Sequence, residues 1–443
     1  MVSGGLALIF LVVAVVLIIL MTARLHFHAF FVLLIVAFLY GIAIGLPLPD
    51  VISTIRDGFG GTLGYIGIVI VAGTIIGTIL EKTGAALAMT KAILRVVGKD
   101  RSPLAMSVAG YVVSVPVFCD SGYVILTPLN KALSHETGKS MAVMSVALAT
   151  GLYATHTLVP PTPGPIAAAG ILDADLGLVI GLGILVSIPA MLAGYLWAIK
   201  FARRYEIIPQ LEETYDELLK KYGKLPSTAA SFMPLLVPIV LILLKSIAEF
   251  PTAPFGEAGA QASLSFIGDP VTALLIGVIL ALFLVKKDVA QEARGEWMGE
   301  GIKNAAVILA ITGAGGAFGS VLQASPMADF IETNLGGVNL GILLPFVLAA
   351  ALKTAQGSST VAIITSASIM APLLATFGLN PALTVLAIGA GSMVVSHAND
   401  SYFWVVSKFS DMEVQVAYKA YTTATLLEGA VAFAGVAILS LFF

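Results

Sequence analysis

Runs of roughly 20 apolar residues recur along the whole chain, and about that many are needed for a helix to cross the hydrocarbon core of a bilayer. They fall at about 3–21, 28–46, 62–80, 141–172, 177–199, 232–248, 270–285, 303–322, 381–407 and 420–443, ten in all. Two of them, 141–172 and 381–407, are interrupted by Pro, Gly and polar residues. Two further apolar stretches, 102–133 and 338–377, carry such residues at their centres and are too long for one crossing and too short for two. Both are expected to be re-entrant hairpins. With 58% hydrophobic and only 11% charged residues, against roughly 45–50% and 25% in an ordinary soluble domain, a soluble enzyme is excluded. The expectation is an all-α polytopic protein, multi-pass in the cell inner (plasma) membrane, with the lipid bilayer as its surroundings. A net charge of −3 offers no basic footprint, so nucleic acid is not a partner. The single cysteine, Cys119, excludes an intrachain disulfide and multi-cysteine metal sites, and neither metal nor cofactor is expected. The first run lacks a basic flank before it and reads as a retained span.

Short cytoplasmic loops retain Lys and Arg. The segments 200–226, 286–303 and 91–101 carry clusters of them, whereas 47–55, 173–176, 249–269 and 323–339 have none. Ten spans alternate through these assignments without contradiction and leave both termini outside. The charged stretch 205–226 reads as a short helix or solvated linker between two halves.

The halves resemble each other. At an offset of 242 residues Ala72, Gly73, Gly77 and Leu80 fall on Ala314, Gly315, Gly319 and Leu322, and at 241 His156 falls on His397. Each half reads as three spans, a hairpin, a broken span and a span. Five spans are an odd number, so the second half inserts upside down: an inverted structural repeat, with residues 1–200 and 232–443 as its halves and 201–231 as a cytoplasmic linker.

Four polar breaks interrupt the apolar sequence: PVFCDSGY (116–123), THTLVPPTPGP (155–165), KTAQGSST (353–360) and SHANDSYFW (396–404). Backbone freed at mid-depth must line a protein-buried or watery cavity, where half-helix N-termini suit an anion and freed carbonyls suit a cation or proton donor. The candidate substrate ligands are Ser121, Gly122, His156, Thr157, Thr162, Gly164, Gln356, Gly357, Ser358, Ser359, Thr360, Asn399 and Ser401, which supply hydroxyls, amides or bare backbone. Asp120 and Asp400 are the acids most deeply set in apolar sequence. Either can carry a coupling proton, cap a half-helix or pair with a neighbouring histidine; Asp120, at a hairpin tip, is the stronger carrier candidate. His156 and His397 are the alternative carriers. Lys353 either attracts an anion or snorkels outward. Thr137-Gly138-Lys139-Ser140 imitates the end of a P-loop, but Leu133 stands where that motif needs Gly.

CDSGYVILTPL, THTLVPPTPGPIA, TGAGGAFGSVL, GSSTVAIITSASIMAPL and SHANDSYFW together resemble, in order and spacing, the gluconate permease (GntP) family of proton-coupled symporters within the ion transporter superfamily. The resemblance covers essentially the whole chain. It implies uptake of a sugar-acid anion or related hydroxy acid with protons, in an elevator-type homodimer whose transport domains slide against a scaffold. Gluconate-type members carry Glu where Asp120 stands and His where Thr162 stands. An anion channel and a sodium-coupled carboxylate transporter are the competing transport readings; an intramembrane enzyme lacks any catalytic motif to support it.

Overall fold

The computed structural model describes residues 2–209, 224–249, 259–326, 330 and 340–443, and among these every regular element is helical. The first half runs α1 (Gly4–Ile19), α2 (Ala29–Ala43), α3 (Leu48–Lys82), α4 (Ala85–Val97), α5 (Ser102–Val113), α6 (Cys119–Thr137), α7 (Met141–Leu158), α8 (Pro163–Ile171) and α9 (Leu176–Lys200). The second runs α10 (Thr228–Ala248), α11 (Gly259–Ile267), α12 (Pro270–Leu282), α13 (Met298–Gln323), α14 (Leu343–Gln356), α15 (Ser359–Met370), α16 (Pro381–Met393), α17 (Ser401–Phe409) and α18 (Thr423–Leu439). Most of the charged stretch 205–226 lies outside the described residues.

Local chemistry sets many of these boundaries. Asp175 Oδ1 accepts from Leu178 N at 2.5 Å at the start of α9. Asp269 and Asn380 cap α12 and α16, each followed by a proline at the first helical position, where a missing N–H costs nothing. Gly84 (φ 74°) and Gly98 (φ 90°) bracket α4, because only glycine adopts those angles without strain. Gly138, left-handed at the end of α6, and Ser140, whose Oγ accepts from Ala142 N at 3.2 Å, account for the P-loop-like tetrapeptide as a C-cap followed by an N-cap.

Eight helical stretches are long and apolar enough to cross a membrane, or nine with α11 and α12 as one bent span, among the described residues. The sequence suggested ten. The run at 28–46 is occupied by a helix of 15 residues, and the interrupted run 381–407 by the 13 residues of α16 and, after the break, the start of α17. The first ends before Gly45 (φ 80°) and α16 at an extended Val394, each short of a full crossing. Conversely Ser359–Phe377, read as a hairpin arm, is long enough to span. The largest revision is α3: its 35 residues begin at Leu48 rather than near 62, despite Gly58, Gly60, Gly61 and Gly64. Packing overrides propensity there, since a Cβ on Gly58 would collide with Ser320 and the Gly316 carbonyl of α13.

The burial pattern separates centre from rim. The α7–α8 stretch is 100% buried over its most apolar window, whereas the α1 stretch is 22% buried and offers Ile9, Val12, Val13 and Val16 outward, as lipid contact requires. Elements of the two halves cross-pack: α3 on α13, α2 on α13, α12 on α3, α9 on α18, α7 on α16, α8 on α15 and α6 on α17. The small faces of α3 support the breaks directly. Gly73 lies where a Cβ would sit 3.1 Å from the Pro161 carbonyl oxygen, and a Cβ on Gly77 would collide with that of Pro116.

Candidate functional site

Each polar break ends in the first turn of a helix: α6 at Cys119, α8 at Pro163, α15 at Ser359 and α17 at Ser401. The first turn of a helix leaves backbone N–H groups unpaired and carries partial positive charge, which suits a negative group; α8, opening Pro163-Gly164-Pro165, has fewer such donors, and the start of α17 already holds the Asp400 carboxylate. The four ends meet in pairs. Ser401 Oγ donates to Asp120 Oδ1 at 3.3 Å, joining the starts of α17 and α6. At the other pair, a Cβ on Gly164 would sit 2.9 Å from Ile363 Cδ1 and 3.8 Å from Thr360 Cα, so bare backbone brings α8 against α15. Ser358 Oγ accepts from Val361 N at 3.3 Å and caps α15. Thr162, at the N-cap of α8, donates its hydroxyl to the Val159 carbonyl at 2.7 Å.

Beside the starts of α15 and α17 lies a buried ion pair. Lys353, in the last turn of α14, is 0% exposed, and its Nζ lies 2.5 Å from Asp400 Oδ2. The ammonium also donates to the Gly357 carbonyl and stands 5.8 Å from the centre of the Tyr153 ring. Ser396 Oγ donates to the same Asp400 oxygen, and Oδ1 accepts from Tyr402 N at 3.1 Å, capping α17. Lys353 therefore does not snorkel, and Asp400 pairs with a lysine rather than with a neighbouring histidine. The loop before α17 closes the end of α14: Asn399 Nδ2 donates to the carbonyls of Thr354 (2.9 Å) and Ala355 (3.2 Å), and His397 Nε2 lies 2.9 Å from the Thr354 oxygen. Gly357, at φ 87°, fits because a Cβ would strike the Asn399 carbonyl. Hairpin tip and broken helix thus form one interlocked piece.

Asp120 is half-buried, and besides Ser401 it meets Cys119 Sγ at 3.6 Å. His156 is buried between Phe118 and Tyr153, with ring centroids 6.1 and 6.5 Å away, and its Nδ1 has no hydrogen-bond partner among the described residues. The same holds for both amide atoms of Gln356. Ser121 and Thr360 are half-buried and Ser359 is buried; Ser401 and Asn399 are exposed. Gly122 is packed against Leu152, and the Thr157 hydroxyl is spent within α7 on the Tyr153 carbonyl at 3.1 Å. His156 lies in the last turn of α7, and His397 lies in the break that follows α16.

Two features escaped the sequence reading. Tyr153, Tyr402 and Tyr421 form a buried aromatic group behind the ion pair, with Tyr402 centred 5.4 and 5.9 Å from the other two. Glu428 in α18 is 0% exposed and neither carboxyl oxygen has a partner among the described residues. The signal for Glu428 was present, since an ionisable residue inside an apolar run is a functional candidate by default. No pattern in the sequence distinguishes the three tyrosines from ordinary core residues.

A helical bundle that turns polar half-helix ends and a charge pair onto one interior site is built as a membrane transporter. The comparisons agree: the sequence model described as GntP family permease matches residues 6–442. The gluconate permease of Pseudomonas aeruginosa is 34% identical over 97% of this chain and 96% of its own length. The D-serine transporter DsdX of Escherichia coli K12 is likewise 34% identical, over 97% of each chain. The crystal structure of the Alcanivorax borkumensis YdaH transporter shares the fold, with a TM-score of 0.71 at 16% identity, covering 93% of this chain and 98% of that one. The chain belongs to the GntP permease family, and it is a multi-pass membrane permease rather than an enzyme.

Proposed function

We propose that the chain is a secondary-active symporter that takes up a sugar acid or small hydroxy acid, gluconate-like, together with protons by alternating access in the inner membrane. The observation that carries this reading is the buried Lys353–Asp400 pair at the starts of α15 and α17, two of the four helices that begin at polar breaks, which suits a carboxylate flanked by hydroxyl groups. Ser121, Ser358, Ser359, Thr360, Gln356 and Ser401 are the polar side chains we assign to it, with Gly122, Gly164 and Gly357 shaping it through close packing against Leu152, Ile363 and the Asn399 carbonyl. Thr162, Thr157 and Asn399 line the same breaks, and their bonds within the protein make them supports of the site, whereas His156, whose Nδ1 has no partner among the described residues, stays assigned to it. Asp120 and Asp400 are the two candidates for the carrier of the coupling proton, with His156 and His397 as the alternatives.

Alternating access rests on an inverted repeat of residues 1–200 and 232–443, joined by the 201–231 linker on the cytoplasmic side. The cross-packing of equivalent elements supports it: α2 on α13 matches α12 on α3, and α8 on α15 matches α6 on α17. An elevator-type homodimer is the assembly we assign. The D-serine relative favours a second substrate class, a hydroxylated amino acid, which presents the same carboxylate to the same helix ends.

Proteoliposomes with an imposed pH gradient test the proposal. Radiolabelled D-gluconate should accumulate above equilibrium, saturate and collapse with a protonophore, and unlabelled D-serine reports the second class by competition. Flux that neither saturates nor accumulates would indicate an anion channel, and accumulation driven only by a sodium gradient would indicate a sodium-coupled carboxylate transporter.

A further inference from the structure

We propose that Lys353 is the ligand of the substrate carboxylate and that Asp400 holds its place until a proton arrives, so that protonation of Asp400 hands the ammonium to the incoming anion. The proposal rests on the reading of the chain as a proton-coupled carboxylate symporter and names the atoms that do the coupling. Its first support is charge balance. Lys353 is fully buried and Asp400 is 5% exposed, so the pair is neutral in a place where an uncompensated charge is costly. An added carboxylate alone would leave one negative charge too many. An added carboxylate with one proton restores a single cation facing a single anion, which ties one proton to one substrate.

Its second support is the bonding of Asp400. Oδ1 accepts from Tyr402 N, a bond indifferent to a proton on Oδ2. Oδ2 faces the Lys353 ammonium and the Ser396 hydroxyl. A hydroxyl accepts as well as donates, so a protonated Oδ2 can donate a hydrogen bond to Ser396 Oγ as the ammonium leaves, the Ser396 hydroxyl hydrogen rotating away from Asp400. The step is one protonation and one exchange of hydrogen-bond partners; no covalent bond beyond O–H forms.

Its third support is position. Asp400 lies between the exposed residues Asn399 and Ser401, and Lys353 is tied to the tip of the second hairpin through the Gly357 carbonyl. The other titratable groups that act on the pair are Cys119 and Asp120 from α6, Tyr153 and His156 from α7, and Tyr421 from the turn before α18. None of these five is a lysine or arginine, and among the described residues Lys353 is the cation in contact with Asp400.

Two measurements on the full-length purified protein decide it. The first needs no knowledge of the substrate. In Asp400→Ala the ammonium is left without its carboxylate, and sodium formate should raise the unfolding temperature by several degrees while leaving wild type and the double variant Asp400→Ala, Lys353→Met unmoved. Folded Asp400→Ala that does not respond to formate overturns the proposal. The second uses D-gluconate. In wild type its apparent affinity should improve about tenfold per pH unit of acidification, the slope of one linked proton, with one proton taken up per anion by calorimetry in buffers of different ionisation enthalpy. Asp400→Asn, which keeps the cap to Tyr402 N, should bind tightly without pH dependence, exchange substrate and lose gradient-driven accumulation. Adding Lys353→Met to it should weaken binding by about ten- to a hundredfold, as loss of a charged hydrogen bond does. A wild-type pH slope surviving in Asp400→Asn overturns the proposal. Wild type that binds neither D-gluconate nor D-serine counts against the substrate class, and the formate experiment then decides the exchange by itself.

Discussion

Asp120 and Asp400 each stand at the opening of a helix that follows a polar break, yet their surroundings differ. Asp400 is buried, paired with a buried lysine, capped onto α17 and backed by Ser396. Asp120 is half-buried, held by one long bond from Ser401 and a thiol contact, with no lysine or arginine bonded to it among the described residues. One acid is built into the frame and the other sits at its edge. The same sequence signal, an acid in an apolar run, therefore resolves into two electrostatic solutions, according to whether a cation is packed beside it.

The contrast can be broken in the following ways. Lys353→Met should have the largest effect, because it leaves Asp400 buried without a counter-charge at a cost of about 3–5 kcal/mol. Unfolding in detergent would read it, and the double variant Lys353→Met, Asp400→Asn should recover most of the loss. A single variant no more damaging than the double would show that the pair does not distinguish the two halves.

Gly357→Ala comes next. It imposes a side chain on a left-handed residue facing the Asn399 carbonyl, at about 1–3 kcal/mol. The first-half analogue of that close approach is Gly77 against Pro116, so Gly77→Ala should be comparably damaging and Gly73→Ala, with 3.1 Å to the Pro161 oxygen, milder. Equal melting temperatures for Gly73→Ala and Gly77→Ala would remove the assigned support of the first break.

Asn399→Ala removes both donors to the end of α14 and should cost about 1–2 kcal/mol, with apparent substrate affinity weakened as the hairpin tip loosens. Unchanged stability would mean that the α14 carbonyls find other partners.

Asp120→Asn should be mildest in stability, under about 1 kcal/mol, since one long neutral-compatible bond is at stake. Its transport phenotype sharpens the comparison most: accumulation driven by a pH gradient should persist. Loss of accumulation with exchange intact would move the coupling proton to the first half.

Much of this was legible in the chain. Runs of apolar residues located the helices, and the four polar clusters located the breaks, because a backbone in lipid pairs internally or turns where protein receives it. Helix lengths were less legible. Leu48–Lys82 runs through four glycines that propensity alone would count against a helix, and contact with α13 holds it together. Of the aligned pair His156 and His397, the structure puts one in the last turn of a helix and the other in the break that follows one. The sequence leaves Lys353 between two roles, and Glu428 stands inside an apolar run.

Composition and apolar periodicity by themselves determined a helical membrane protein interrupted at four places, and the motifs at those places determined its family. Which groups face each other across the interruptions was decided only by tertiary structure. Asp400 meets a lysine 47 residues earlier, and Ser401 meets an acid 281 residues away. Whether a chain can stay helical in lipid depends on residues a few positions apart, so sequence records it. Whether a buried carboxylate has a counter-charge depends on which helix ends packing brings together, and no local pattern encodes that.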